Sequence, residues 1–239
     1  MNDELELLWI YLEASPLMGL TATLVAYQIS DWLWRKSGMN PCLNPVMLSI
    51  LEISVFLRLT GIPYRTYFDG AQFIHFLLGP VTVALAVPLY RELRLLLQSA
   101  WALLAGLLAG SIIAVISAVW IAQALGGSEQ ILRSLAPKSA TSPIAMGVAG
   151  SIGGLPSLAA IMAIMTGIIG SVLGPWILTL CRVRDDRARG LAMGTAAHGI
   201  GTAQAIQMGP TIGAFAGLGM GLNGISTALL VPLLVLWLL

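Results

Sequence analysis

The alternation of apolar and polar stretches along the chain predicts a helical membrane protein. Six apolar runs are separated by charged or turn-forming residues, and they cover residues 7–29, 43–59, 71–89, 100–125, 158–180 and 212–238. An α-helix needs about 20 apolar residues to cross a hydrocarbon core about 30 Å thick, so each run can supply one crossing. We therefore predict an all-α, polytopic membrane protein with about seven or eight transmembrane or broken helices.

Two further apolar stretches, 138–154 and 191–207, are short for a complete crossing and rich in Gly, Ser and Thr. Loops that carry Lys and Arg favour the cytoplasm. The candidate cytoplasmic groups are Arg35 with Lys36, Arg91 with Arg94, and the cluster of Arg182, Arg184, Arg187 and Arg189. Placing all three groups inside puts the N-terminus outside. It also makes 138–154 a re-entrant or broken segment that enters from the outer side.

An internal repeat with an offset of about 95 residues is indicated by matching motifs. Asn44-Pro45 corresponds to Ser142-Pro143 in this alignment. We expect one membrane domain over 1–239, with an N-terminal helix within 1–42 and two repeats at 43–136 and 137–239, which transporters often carry in inverted orientation. Chance matching between helices rich in Gly and Ala is the alternative.

Composition excludes a soluble protein. Hydrophobic residues make up 57% of the 239 positions and charged residues only 10%, against roughly 25% in soluble domains. The first apolar run follows an acidic terminus without a cleavage site, which favours a retained helix over a signal peptide. The net charge of +1 offers no basic surface for nucleic acid. Cys42 and Cys181 lack metal-ligand spacing, and no catalytic motif appears, so we expect no metal, no cofactor and no enzyme.

The segment around Lys138 is typical of a helix that begins inside the membrane. Ser142 is the predicted N-cap and Pro143 the first helical residue, and Asn44-Pro45 has the same pattern. Unpaired N–H groups at such a helix start favour an anion. Lys138 would add a full positive charge, and three hydroxyls would donate hydrogen bonds, those of Ser139, Thr141 and Ser142. The alternative is that Lys138 reaches the outer interface and that the hydroxyls only cap a helix.

The second polar segment contains His198 and Thr202 between glycines. An ionisable side chain in an apolar region indicates a proton carrier or a donor to a carboxylate. A histidine satisfied by a neighbouring backbone carbonyl is the alternative, and small residues at this density also permit close helix packing. Gly106 and Gly110 suit similar contacts within one subunit or between two. Asn223 is expected to form an interhelical hydrogen bond.

Four motifs together resemble the LrgB/CidB family over nearly the whole chain. They are GIPY at 61–64 with Tyr67, FLLGPVTVALAVPLY at 76–90, PKSATSPIA at 137–145 and GTAAHGIGTA at 194–203. The resemblance implies antiholin-like proteins that modulate murein hydrolase export and autolysis with a small LrgA/CidA-type membrane partner. It also implies transport, because a plant plastid relative exports glycolate and glycerate, and bacterial members are tied to pyruvate. This chain has Gln204 where the family often has Arg or Lys, which leaves Lys138 as the cation of the site.

Together these features predict a carrier for small monocarboxylates such as glycolate, glycerate, pyruvate or lactate, with possible H⁺ or Na⁺ coupling. The predicted site comprises Asn44, Lys138, Ser139, Thr141, Ser142, His198 and Thr202. We expect a multi-pass protein of the cell (inner) membrane that binds no nucleic acid and forms a homo-oligomer. The alternative function is an antiholin-like regulator of murein hydrolase export that acts with an LrgA/CidA-type partner.

Overall fold

The computed structural model describes residues 16–38, 43–77, 80, 83–84 and 86–239. All regular structure within these residues is helical, as predicted. The chain divides into two compact units, Met1–Ala84 and Leu85–Leu239, which are described separately.

The first unit contains three helices in its described part. They are α1 (Pro16–Lys36), α2 (Pro45–Thr60) and α3 (Tyr64–Phe76). The core of this unit forms around Ile62 and Tyr67, and the Tyr67 hydroxyl lies 2.7 Å from Oγ1 of Thr23 on α1. Gly61 ends α2 at a φ of 72°, a left-handed conformation that favours glycine.

The second unit contains the longest helices. Its helices are α4 (Ala86–Arg91), α5 (Leu93–Ala124), α6 (Glu129–Leu135), α7 (Ser142–Ser151), α8 (Pro156–Leu180), α9 (Asp186–Met208) and α10 (Pro210–Leu238). By length and composition, α5, α8 and α10 can each cross a membrane, as a multi-pass membrane protein requires. They correspond to the predicted runs 100–125, 158–180 and 212–238. Within the predicted run 71–89, α3 ends at Phe76 and is followed by a turn at Leu77, and residues 78–79, 81–82 and 85 lie outside the described residues.

Two exposed tryptophans mark depth along α5. Trp101 and Trp120 are nineteen residues apart, which corresponds to about 28 Å along a helix. This distance is close to the thickness of a hydrocarbon core, and tryptophan is enriched at both membrane interfaces. A membrane whose two interfaces lie at these tryptophans would have Gly110 and Ser111, the residues midway between them, near its half-depth.

Helices α6 and α7 form a hairpin that starts and finishes at the end where α5 ends. Nη1 of Arg133 on α6 donates to the Ile152 carbonyl just after α7, and the Leu155 N–H donates to Oγ of Ser134, both at 2.7 Å. With ten residues, α7 spans about 15 Å, half a bilayer. The end of α6 therefore lies beside the end of α7, and the segment 136–141 runs inward from there to the start of α7 at the tip of the hairpin. The prediction of a short, broken segment at 138–154 thus agrees with the structure.

Helix α9 also reverses direction, at His198. The backbone dihedral angles of this residue, φ 41° and ψ −130°, lie far from those of an α-helix. Residues eight apart in a straight helix are separated by about 12 Å, yet a Cβ on Gly201 would lie 2.6 Å from the Met193 carbonyl oxygen. The chain therefore folds back, and α9 consists of a first arm (186–197) and a second arm (199–208). The predicted short segment 191–207 is the inner part of this second hairpin.

The two hairpins enter from opposite ends of the unit. Arg187 at the start of α9 contacts Ser99 near the start of α5, and Thr195 lies beside Gly110, so these helices are parallel. We call their shared end the arginine end. It carries Arg91, Arg94, Arg182, Arg184, Arg187 and Arg189. The α6–α7 hairpin enters from the other end, which matches the predicted entry opposite the basic loops.

Candidate functional site

The tips of the two hairpins meet at a buried asparagine, Asn223 of α10. Its Nδ2 donates to the Ser139 carbonyl at 2.9 Å and to the Thr195 carbonyl at 3.1 Å. Its Oδ1 accepts from Oγ of Ser111 on α5 at 2.6 Å. We call this group the Asn223 clasp. The predicted interhelical role of Asn223 is confirmed, and Ser111 places the clasp near half-depth.

A cavity of about 960 Å³ runs from the arginine end to the Asn223 clasp. Its walls are α5, α8 and the first arm of α9, and the tip of the α6–α7 hairpin lies at its inner end. The polar residues that line it are Gln98, Ser99, Lys138, Ser139, Thr166, Asp185, Arg187 and Thr195. Apart from these, the walls are small or apolar, and Gly106 and Gly110 leave room along α5.

Lys138 and Ser139 are the two predicted site residues that line the cavity. The Lys138 ammonium lies 3.5 Å from the Ser139 hydroxyl. No ion pair joins Lys138 to a carboxylate within the described ranges. A cation at half-depth that has only a neutral partner is costly in a membrane. Its position next to a cavity is therefore suited to binding an anion.

Arg187 is the second cation that lines the cavity, at the arginine end. Its Nε donates to both carboxylate oxygens of Asp185, at 3.0 and 3.2 Å, and its Nη1 donates to the Ser99 hydroxyl at 2.8 Å. The hydrogen bond from Arg187 is the main reason that the pKa of Asp185 falls to about 2. Asp185 also caps α9 by accepting from the Arg187 N–H.

Thr141 and Ser142 do not line the cavity. The prediction of Ser142 as N-cap is wrong by one residue, because Thr141 has the extended backbone of the N-cap and Ser142 begins α7. Pro143 is then the second helical residue. Any position in the first turn tolerates proline, since those N–H groups have no intrahelical acceptor, so the sequence does not fix the cap exactly.

His198 and Thr202 are buried outside the cavity lining. Nε2 of His198 lies 2.8 Å from the Ala163 carbonyl of α8, and the ring packs beside Gly167. Thr202 donates to the His198 carbonyl at 2.8 Å. This geometry agrees with the alternative interpretation of His198, in which a backbone carbonyl satisfies the histidine. The contacts of His198 with Ala163 and Gly167 pack the reversal of α9 against α8.

Asn44 belongs to the first unit, and its side chain caps α2. Its Oδ1 accepts from the N–H groups of Val46 and Met47 at 3.0 and 3.3 Å. The predicted helix start at Asn44-Pro45 is therefore confirmed. A role for Asn44 in binding a solute stays a prediction.

Sequence patterns did not assign six polar residues of the cavity wall: Gln98, Ser99, Thr166, Asp185, Arg187 and Thr195. Arg187 was identified only as a cytoplasmic loop residue, and its spacing from Asp185 was the available signal. Gln204 does not line the cavity. Among the described residues, no group of three or more His, Cys, Asp or Glu side chains is placed to hold a metal ion.

Comparison with known proteins identifies the family. Residues 23–237 match the model of the LrgB-like family. Antiholin-like protein LrgB of Bacillus cereus (strain B4264) and the protein of the same name in Bacillus anthracis (strain CDC 684 / NRRL 3495) are each 32% identical to this chain over 219 residues. The alignments cover 92% of this chain and 95% of each relative. No solved structure matches the chain. This chain therefore belongs to the LrgB-like family.

Proposed function

We propose that this protein is a cell-membrane carrier for small monocarboxylates, such as glycolate, glycerate, pyruvate or lactate. The observation that carries the proposal is Lys138, a cation near half-depth that lines a cavity without a carboxylate partner in the described part of the chain. Because an uncompensated charge in a membrane is costly, a solute carboxylate is a favourable counter-ion. The Ser139 hydroxyl, 3.5 Å from the Lys138 ammonium, and the Thr166 hydroxyl of the cavity wall can donate to its oxygens.

The hairpins supply a route for alternating access. In this structure the cavity reaches the arginine end, and the α6–α7 tip lies at its inner end. Many transporters hold their site between interrupted helices that enter from opposite sides. Release to the other side would require the α6–α7 hairpin to move away from α10, which breaks the hydrogen bond between Asn223 and the Ser139 carbonyl.

The test is uptake of labelled glycolate, glycerate, pyruvate and lactate by liposomes that contain the purified protein. Lys138→Ala should reduce uptake at low solute concentration by about tenfold or more, because a hydrogen bond to a charged group contributes about 1.5–3 kcal/mol. Lys36→Gln removes an exposed cation outside the cavity and should leave uptake unchanged. Imposed H⁺ and Na⁺ gradients would reveal coupling. No flux above empty vesicles for all four acids would overturn the proposal.

The name of the relatives favours a second candidate function. Both are called antiholin-like, and the corresponding role here is regulation of murein hydrolase export and autolysis together with a small LrgA/CidA-type partner. This function predicts partner-dependent oligomers and no saturable solute. The test is complementation in cells that lack the chromosomal copy of the gene. If the protein is a regulator, the Lys138→Ala variant should restore normal autolysis as well as the wild type does. If it is a carrier and autolysis depends on its transport, the Lys138→Ala variant should not restore autolysis.

A further inference from the structure

We propose that the arginine end of the cavity is a second anion-binding station, where a solute carboxylate binds the Arg187 guanidinium in competition with Asp185. The inference rests on the proposed function for the class of solute. The Arg187 station is a separate site from the one at Lys138, because the two cations lie far apart along the cavity. Ser99 and Ser111 mark the depths of the two cations on α5, and they are about 18 Å apart.

A solute carboxylate can first contact Arg187 through N–H groups that Asp185 and Ser99 do not use, before it displaces Asp185. A guanidinium carries five N–H groups. In this structure Asp185 accepts from Nε and Nη2, and Ser99 accepts from Nη1. One N–H on each of Nη1 and Nη2 remains, and this pair matches the two oxygens of a carboxylate. The Arg187 side chain is 39% exposed, so a solute can reach it from outside the cavity.

Asp185 is a partner that a solute can displace. The Asp185–Arg187 pair is exposed and joins residues two apart in sequence, and ion pairs of this kind contribute little to stability. Asp185 also keeps a structural role when the guanidinium turns away, because it accepts from the Arg187 backbone N–H. The low pKa of Asp185 keeps it ionised in neutral solution. Asp185 therefore weakens anion binding at Arg187, and its removal should strengthen that binding.

The Arg187 station gives the cavity a cation at each end. An anion that enters from the arginine end meets Arg187 first and Lys138 at the clasp. The wall between them is mostly small and apolar, with Gly106, Ala192 and Gly110, which offers no strong intermediate binding site. Arg187 thus raises the local concentration of carboxylate at the entrance.

The experiment is calorimetric titration of the full chain in detergent with sodium pyruvate, in a Lys138→Gln background that disables the inner site. We expect weak residual binding in this variant. Adding Asp185→Asn should tighten it about three- to tenfold, since asparagine also caps helices well and the competing charge is gone. Adding Arg187→Gln instead should abolish it. Arg184→Gln, which removes a cation from the same end outside the cavity, is the matched control and should leave binding intact.

Three results would overturn the Arg187 station. They are equal loss of binding with Arg184→Gln and Arg187→Gln, no gain with Asp185→Asn, and no residual binding in Lys138→Gln. None of these tests the carrier proposal, which depends on wild-type flux and its loss with Lys138→Ala. If the station exists but the carrier proposal fails, pyruvate binds at Arg187 while the liposomes show no uptake.

Discussion

The Asn223 clasp should be a principal source of stability in the second unit. Asn223 is 1% exposed and bonds to three elements at once: Ser111 on α5, the Ser139 carbonyl at one hairpin tip and the Thr195 carbonyl on α9. Replacing Asn223 by alanine removes all three hydrogen bonds and leaves their partners buried. We predict that this change destabilises the protein more than any other single polar truncation in α10.

The magnitude follows from the number of bonds. A buried partner left unsatisfied costs about 1–3 kcal/mol, whereas measured hydrogen bonds between membrane helices average about 0.6 kcal/mol. Three bonds therefore give a loss of about 2–4 kcal/mol for Asn223→Ala. Ser111→Ala breaks one of them and should cost about 1 kcal/mol. Because the two residues share that bond, the double variant should fall short of the sum by about 1 kcal/mol.

The assay is equilibrium unfolding in mixed micelles, with the free energy of unfolding extracted for the wild type, both single variants and the double variant. Ser117→Ala is the control, since among the described residues its hydroxyl donates only to the Ala114 carbonyl within the same helix, α5. It should be close to neutral. Strict additivity of Ser111→Ala and Asn223→Ala, or a loss for Asn223→Ala no larger than for Ser117→Ala, would refute the clasp.

Three further predictions concern the cavity wall, the α9 reversal and the arginine end. Gly110→Leu should fill the cavity and abolish uptake in folded protein, because a Cβ there meets only Thr195 Cγ2 at 3.6 Å, whereas Gly147→Leu, in open space, should transport normally. Gly201→Ala should cost roughly 2–3 kcal/mol of unfolding free energy, because its Cβ would press on the Met193 carbonyl, whereas Gly221→Ala should be neutral or slightly stabilising. The low pKa of Asp185, about 2 against an ordinary 3.8, means that its stabilising contribution is present above about pH 4 and is lost as pH falls towards 2. The stability difference between wild type and Asp185→Asn should therefore stay constant between about pH 5 and 8 and shrink in acid, as denaturation at a series of pH values would show.

Local sequence patterns were sufficient to predict the long helices. The runs 158–180 and 212–238 begin within two residues of α8 and α10, because apolar composition over about 20 residues decides a crossing. Helix α5 begins seven residues before its predicted run. Its first turns contain Arg94 and Gln98, which tolerate the aqueous interface and so lie outside an apolar window.

The reversal of α9 shows what local patterns leave out. The Gly-rich composition of 191–207 predicted a short or broken segment, and the break is at His198. The second arm of α9 folds back beside the first, with Gly201 in close contact with Met193. This contact is tertiary packing, which a local sequence pattern does not predict. The same holds for the cavity. Lys138 was recognisable as an unusual cation, whereas Arg187 joins it only because α5 and α9 are parallel and lie side by side.

The most direct test of the central claim, that a small carboxylate binds at Lys138 near half-depth, is protection of a cysteine placed beside the site. With Cys42 and Cys181 replaced by serine, Ala196→Cys puts a thiol on the exposed cavity wall. A membrane-impermeant maleimide added at the arginine end should label it, pyruvate should slow the labelling, and Lys138→Gln should remove that protection. Labelling that proceeds at the same rate with and without pyruvate would contradict the account.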